Sequence, residues 1–359
     1  MKYVLFLADG MADEPMDALG GKTPLMAADT PNFDALAQRA RFGTFLSLPD
    51  GFPTSSDVAN LSVLGYDLAK CCNGRGVLEA AAQGIVLQPN EIAMRCNLVT
   101  ATDDGVMLDY SGGQLRNDDA AQLIAALQEK FGTDEIRFHH GVSYRNLIIL
   151  KGEKFSANFA YEKPDDHPGD PYLPLLPKAR RPESEATVEL LGRIIRESFD
   201  FLNHHPVNEA RRARGEAPAN LAWPWSPGRK PDMPAFSSLY GKSGAIISAV
   251  DVIRGIGLLG GLDVLDVEGA TGYIDTNYEG KALAGVEALK QHDFVYVHVE
   301  GIDEVSHAGD LKLKLQAIED FDKRLVGTFL TAYAKEFGSL GDLAIAVLPD
   351  HPVPLVLRK

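Results

Sequence analysis

The sequence predicts an α/β protein: a doubly wound, mostly parallel sheet carrying an inserted α+β domain. Three observations lead there. Short, almost wholly apolar runs recur towards both ends of the chain, as strands buried on both faces require. These runs stop at polar residues and lead into helical patterns, the alternation of a doubly wound sheet. In the middle the pattern changes to shorter or alternating strands around one amphipathic helix.

Tyr3-Val4-Leu5-Phe6-Leu7-Ala8 is the first buried strand and stops at Asp9-Gly10. Thr30-Pro31 then opens a helix by the N-cap-then-proline rule, with Phe33, Leu36 and Ala37 at helical spacing. Phe294 to Val299 is a second strand, followed by a helical stretch from about 312 to 330, and Leu343 to Leu348 is a third, ending at Asp350-His351. Ala245 to Ser248 reads as a fourth, leading into a glycine-rich turn at Gly255-Ile256-Gly257. Between them, Ala93 to Val99, Val106 to Tyr110 and Asn146 to Leu150 read as strands and Ala120 to Phe131 as a helix. Tyr161 to Pro182 is rich in proline and mostly irregular, and a second Pro-rich stretch, Pro218 to Pro234, returns the chain to the first domain. The predicted division is 1–80 with 235–359 as one discontinuous domain and 81–234 as the insert.

Bulk properties narrow the function. A chain of 359 residues with 45% hydrophobic content is long enough for two domains with real cores. No run approaches the roughly 18 apolar residues of a membrane span and no signal-peptide order is seen, so a cytoplasmic protein with no membrane partner is expected. A net charge of −15, without a Lys/Arg block, argues against nucleic acid. An acidic chain that handles a phosphorylated anion must invert its local field with arginines or divalent cations. The three cysteines, Cys71, Cys72 and Cys96, lack zinc-site spacing and read as structural thiols of a reducing compartment.

Ligands of open α/β sheets collect at the carboxyl ends of the strands. Three predicted strands deliver Asp9, then Asp303 with His307 four residues on, then Asp350-His351. Taken singly, each reads as a turn former, a helix cap or a surface histidine. Together these hard-to-borderline ligands suit Mn²⁺, Mg²⁺, Zn²⁺ or Co²⁺. A fourth element, Pro53-Thr54-Ser55-Ser56-Asp57, marks a helix start. Its hydroxyls are either plain caps or a nucleophile placed where a helix dipole favours a phosphate.

Several motifs carry a more specific resemblance. Phe6 to Met11, Ser55 to Asn60, Gly65-Tyr66-Asp67, Gly74-Arg75-Gly76, Gly141 to Arg145, Tyr240 to Ala245, Gly269 to Tyr273, Asp303-Glu304 with His307, and Asp350-His351-Pro352 follow in order almost end to end. Together they resemble the archaeal-type 2,3-bisphosphoglycerate-independent phosphoglycerate mutases of the alkaline phosphatase superfamily. The resemblance implies an alkaline phosphatase-like domain in two segments, an insert that closes over substrate, and two divalent cations, Mn²⁺ first among them. It implies Ser56 as the nucleophile carrying the phosphoryl group, held with Asp9, Asp350 and His351 at one metal, while Asp303 and His307 serve the other. The family pattern also has a histidine in an R-T-H-T segment between D-H-P and P-V-P. Here His351-Pro352 runs directly into Val353-Pro354, and nothing matches it.

The expected reaction interconverts 3-phosphoglycerate and 2-phosphoglycerate through a phosphoserine. Arginine's planar fork suits carboxylate and phosphate, making Arg75, Arg145 and Arg211 the candidate substrate-binding residues, with surface salt bridges as the alternative. Lys242, in Gly241-Lys242-Ser243-Gly244, is a candidate to neutralise the transferring phosphoryl group. Asp166, in Pro164-Asp165-Asp166-His167, matches an acid-containing motif of the family's insert but departs from its P-P-H-D form. It is the candidate general base or hydroxyl-orienting group. The rivals are a metal-dependent phosphomonoesterase or another phosphomutase or phosphotransferase of the same superfamily, and a non-catalytic metal-binding protein, which the unmatched histidine would favour if it marks a true deletion.

Overall fold

Alternation of buried apolar runs with amphipathic helices produces the expected layers in the computed structural model, which describes residues 1–357. In chain order the strands are β1 (Lys2–Ala8), β2 (Glu91–Ala101), β3 (Met107–Asp109), β4 (Ile136–Val142), β5 (Arg145–Lys151), β6 (Phe159–Ala160), β7 (Lys178–Ala179), β8 (Leu221–Gly228), β9 (Gly244–Ile247), β10 (Asp263–Leu265), β11 (Phe294–Val299) and β12 (Leu343–Leu348). The chain divides into two compact units, one of Met1–Cys72 with the residues from Asp232 onward, the other Asn73–Pro231. The first crossing therefore lies at 72/73 rather than at 80. The reason is that the helix Arg75–Ala82 packs on β2 and β8.

In the first unit the sheet order is β10-β9-β11-β1-β12, and every pairing is parallel. Leu7 lies beside His298 on one side and Leu348 on the other. That register brings the carboxyl ends of β1, β11 and β12 to one level. The polar residues that follow them are thereby delivered to the same edge. Phe6 packs edge-to-face on Phe329 at 5.0 Å within a core that includes Val297, Ile302, Phe321 and Tyr333.

The helical stretch predicted at 312–330 forms as Leu311–Asp320, a π-helical turn Phe321–Val326, and Gly327–Phe337. The turn aims the buried Asp322 at the start of the helix Pro31–Ala37. Its carboxylate accepts from the Phe33 N–H at 2.6 Å, the Asn32 N–H at 3.1 Å and Asn32 Nδ2 at 2.9 Å. Thr30 stands at the N-cap as expected but makes no side-chain cap bond, because Asp322 satisfies those donors from across the fold.

Gly255-Ile256-Gly257 is not a turn; it lies within the helix Asp251–Leu259. A Cβ on Gly257 would meet Ile246 Cγ2 at 2.4 Å. The glycine permits close packing of helix on β9, which outweighs its low helix propensity.

The second unit is α+β. β2 pairs antiparallel with β5 and β8, β5 with β4, and β3 with the end of β2. The helix Asn117–Phe131 buries Leu123, Ile124, Leu127 and Phe131 against this sheet's core. Helices Glu185–Asn203 and Pro206–Ala213 fill a stretch that carries no predicted element. Part of the Pro218 to Pro234 stretch is a strand, not a linker. β8 contains Pro224 and Pro227, is buried throughout, and pairs with β2 alone. As an edge it tolerates prolines, and the Ala222 N–H is satisfied by Ser198 Oγ at 3.0 Å.

Candidate active site

Three strand ends and one helix start build the site in the first unit. β1 ends at Asp9, β11 leads through Glu300 into the helix Gly301–Ala308 that carries Asp303 and His307, and β12 leads to Asp350 and His351. The helix Ser56–Val63 begins at the predicted nucleophile. Gly10, at φ +64°, makes the turn possible: a Cβ there would lie 2.7 Å from Asp303 Cα and 2.8 Å from its Oδ1.

His351 Nε2 lies 3.2 Å from Asp9 Oδ1, 3.8 Å from Asp303 Oδ1 and 3.6 Å from Asp350 Oδ2. The Ser56 hydroxyl is 3.4 Å from the same nitrogen. Asp303 Oδ2 is 3.4 Å from His307 Nε2, one helical turn on, and the His307 ring is half exposed. Asp350 is wholly buried. Its Oδ1 accepts from the Gly10 N–H at 3.3 Å and the His351 N–H at 2.9 Å, and its Oδ2 accepts from Asn60 Nδ2 at 3.0 Å. Asn60, buried and oriented by the Tyr296 hydroxyl, also ties to the Ser56 carbonyl at 2.8 Å. One amide thus fixes both the Asp350 carboxylate and the start of the Ser56 helix.

The electrostatics call for a cation. Burial, followed by the Asp303 charge, pushes Asp9 up to about 7. Burial and then the Asp9 charge hold Asp350 and Glu300 well above the usual carboxylate range. Asp9 Oδ1, Asp303 Oδ1 and Glu300 Oε2 are buried without a hydrogen-bond donor. Such orphaned oxygens are costly unless a positive charge meets them. Ligand atoms of Asp9, Asp303 and His351 lie within 4.8 Å of one another, as do those of Asp9, His298 and Glu300. The donor set of carboxylates, imidazoles and a hydroxyl fits divalent cations.

Sequence reasoning missed Asn60, His298 and Glu300 as members of this group. His298 carried a signal: it is the polar residue inside the apolar run of β11, buried completely.

One predicted residue of the first unit sits away from this edge. Lys242 precedes β9 at the amino end of the sheet, its ammonium 5.9 Å from the centre of the Tyr3 ring at the start of β1. Five residues separate Tyr3 from Ala8, so the lysine stands roughly 17 Å from the carboxyl edge at the usual strand rise. It cannot serve the phosphoryl group there. Arg211 is buried structure: it pairs with Asp119 at 3.1 Å and Glu216 at 3.4 Å and donates to the Gly112, Gly113 and Ala217 carbonyls. Asp166 is exposed on the short turn Pro164–Asp166 of the second unit, while the neighbouring Asp165 pairs with Lys163 at 3.2 Å.

Arg75 and Arg145 do belong to one group in the second unit. Both act electrostatically on the buried Arg95, whose guanidinium pairs with Glu79 at 3.2 Å and stacks 4.7 Å over Trp225. Arg145 lies 4.8 Å over the Tyr144 ring. Burial lowers the Arg95 pKa, and its two neighbouring cations lower it further. Among the described residues, no helix is long and apolar enough to cross a membrane.

Comparison with known proteins agrees with this geometry. The family model described as 2,3-bisphosphoglycerate-independent phosphoglycerate mutase matches residues 37–208. A probable 2,3-bisphosphoglycerate-independent phosphoglycerate mutase of Geobacter sulfurreducens is 48% identical over 361 residues, covering 100% of this chain and 88% of that protein. A Methanosarcina mazei protein of the same name is 46% identical over 358 residues, covering 100% and 87%. A solved protein of Pyrococcus horikoshii superposes with a TM-score of 0.80 at 28% identity, over 100% of this chain and 84% of that one. The cofactor-independent phosphoglycerate mutase of Thermoplasma acidophilum gives 0.62 at 29% identity, over 98% and 87%. With near-complete coverage at this identity, the chain belongs to the 2,3-bisphosphoglycerate-independent phosphoglycerate mutase family.

Proposed function

We propose that the protein interconverts 3-phosphoglycerate and 2-phosphoglycerate by way of a phosphoserine at Ser56. The observation that carries this reading is the Ser56 hydroxyl at a helix start, 3.4 Å from His351 and beside carboxylates with orphaned oxygens. Asp9, Ser56, Asp350 and His351 would hold one divalent cation and Asp303 and His307 the other, with Mn²⁺ the expected ion. When bound, such ions lower the pKa of the serine hydroxyl and offset the charge gathering on the transferring phosphoryl group.

Ser56 Oγ attacks phosphorus as the bond to the 3-oxygen breaks, and the hydroxyl proton ends on the freed 3-hydroxyl of glycerate. Attack by the 2-hydroxyl then returns the phosphoryl group and restores Ser56. Asn60 and Asp350 hold the helix start and strand end in register during both transfers. The second unit serves as the substrate-closing domain, where Arg75 and Arg145 bind the substrate's carboxylate and phosphate. Asp166, exposed on its short turn, stays the candidate acid of that unit.

Ser56→Ala tests the reading. Ser56 is the first residue of its helix and not the N-cap, which is Ser55, so the variant should keep its stability to within about 0.5 kcal/mol. It should lose mutase turnover by many orders of magnitude, having no nucleophile. Wild-type protein incubated with 3-phosphoglycerate in Mn²⁺ should show labile phosphate on the Ser56 peptide and release little free phosphate. Stoichiometric phosphate release would make it a phosphomonoesterase instead.

A further inference from the structure

His298 is buried completely at the centre of the first sheet, where an imidazole needs partners for both ring nitrogens. Its Nε2 lies 2.9 Å from Asp9 Oδ2, and its Nδ1 lies 3.1 Å from Ser248 Oγ, itself buried at the end of β9. The Val250 N–H donates to that same Ser248 oxygen at 3.0 Å. Glu300 Oε2 is the next acceptor, at 3.5 Å from Nε2.

As an ionised metal ligand Asp9 accepts only, so Nε2 carries the hydrogen toward it. Nδ1 then faces the Ser248 hydroxyl, which can donate to it while accepting from the Val250 N–H. With Oδ2 engaged, Asp9 turns its other oxygen, Oδ1, toward His351 without a donor of its own.

We infer that His298 is a positioning residue for the site, an imidazole held by Ser248 that donates to Asp9 and fixes which Asp9 oxygen faces the cation. The inference rests on the reading of Asp9 as a metal ligand. Outer partners of this kind orient the ligand, and their loss typically weakens metal binding about 10–100-fold. His298 could instead ligate a cation directly with Asp9 and Glu300, and the two roles separate experimentally.

The test is Mn²⁺ titration of the full chain, followed by calorimetry and by the electron paramagnetic resonance of free Mn²⁺, with thermal melts of the metal-free proteins as a fold check. His298→Leu removes the donor and should weaken the Asp9 site about 10–100-fold at unchanged stoichiometry. His298→Gln places an amide N–H close to the former Nε2 and should restore most of the affinity. Ser248→Ala, the smaller change, leaves the ring in place and should weaken binding severalfold by loosening its Nδ1 end. Unchanged affinity in Ser248→Ala and His298→Leu overturns the inference, as does loss of one bound Mn²⁺ in both His298 variants, the mark of a direct ligand. Wild-type protein that binds no Mn²⁺ would overturn the reading of the site itself.

Discussion

Lys314 is the least expected charge in the first unit, and replacing it gives the strongest stability prediction. Its side chain is wholly buried, and its ammonium lies 2.8 Å from Asp13 Oδ2 and 3.0 Å from the Val353 carbonyl. Asp13 Oδ2 also accepts from the Leu355 N–H at 3.2 Å, and the Val353 N–H donates to the Ala12 carbonyl at 3.1 Å. The lysine therefore clamps the segment after His351 onto the loop after β1. Burial pulls its pKa down and the Asp13 carboxylate opposes that pull. Lys314→Met leaves a buried carboxylate without a counter-charge and a carbonyl without a donor, at a cost of about 3–5 kcal/mol. For a unit of roughly 200 residues each kcal/mol lowers Tm by about 2–4 °C, so the melt should fall by about 6–20 °C. Circular dichroism melts at pH 7 measure it. The double variant Lys314→Met with Asp13→Leu should recover much of the loss, because an apolar pair replaces an orphaned charge. A fall below about 3 °C for the single variant, or a double variant no better than it, would refute the view of this pair as desolvated and mutually dependent.

Other predictions concern residues whose roles the structure reassigned. Lys242→Ala should leave kcat and KM for 3-phosphoglycerate unchanged, since the lysine stands at the far end of the sheet; a kcat loss above about tenfold would count against that. Arg211→Ala should destabilise the second unit by about 3 kcal/mol through stranded partners such as Asp119, while the protein that remains folded keeps its KM. A KM rise without destabilisation would return Arg211 to the substrate. Burial pushes the Cys96 thiol up to about 12, so it should resist a disulfide reagent at pH 8 until the protein is unfolded. The folded state holds that proton more tightly than the unfolded chain, whose thiol ionises near 8.5, so its contribution to stability is lost as pH rises from about 9 to 12. Cys96→Ala should flatten stability over that range; an unchanged slope would show the thiol is not responsible.

The order and type of the principal strands of the first unit were legible in the sequence because parallel strands buried on both faces leave continuous apolar runs. Tyr3 to Ala8, Phe294 to Val299 and Leu343 to Leu348 are such runs, and the residues just past them had to fall at the carboxyl edge. Asp9, Asp303, Asp350 and His351 were therefore identifiable as a group, and the helix start at Ser56 added the proposed nucleophile. The short strand β10 and the helix around Gly257 were not legible. Three residues carry little periodicity, and a glycine's reason for being in a helix is the strand beneath it.

What only the tertiary structure decided is which polar residues meet. A lysine or arginine reads the same in sequence whether it faces a substrate, as proposed for Arg145, or a set of buried carbonyls, as Arg211 does. Lys242 looked like a phosphate binder because glycines flank it, yet it stands before its strand, at the amino edge of the sheet and away from the site. His298 and Asn60 lay inside a strand and a helix where local pattern assigns them to packing. Strand register in one case, and the rotation of a helix in the other, turned them toward Asp9 and Asp350. Apolar periodicity is a local property and survives in the sequence; the pairing of one buried polar atom with another depends on distances across the whole unit, which exist only once the chain has closed.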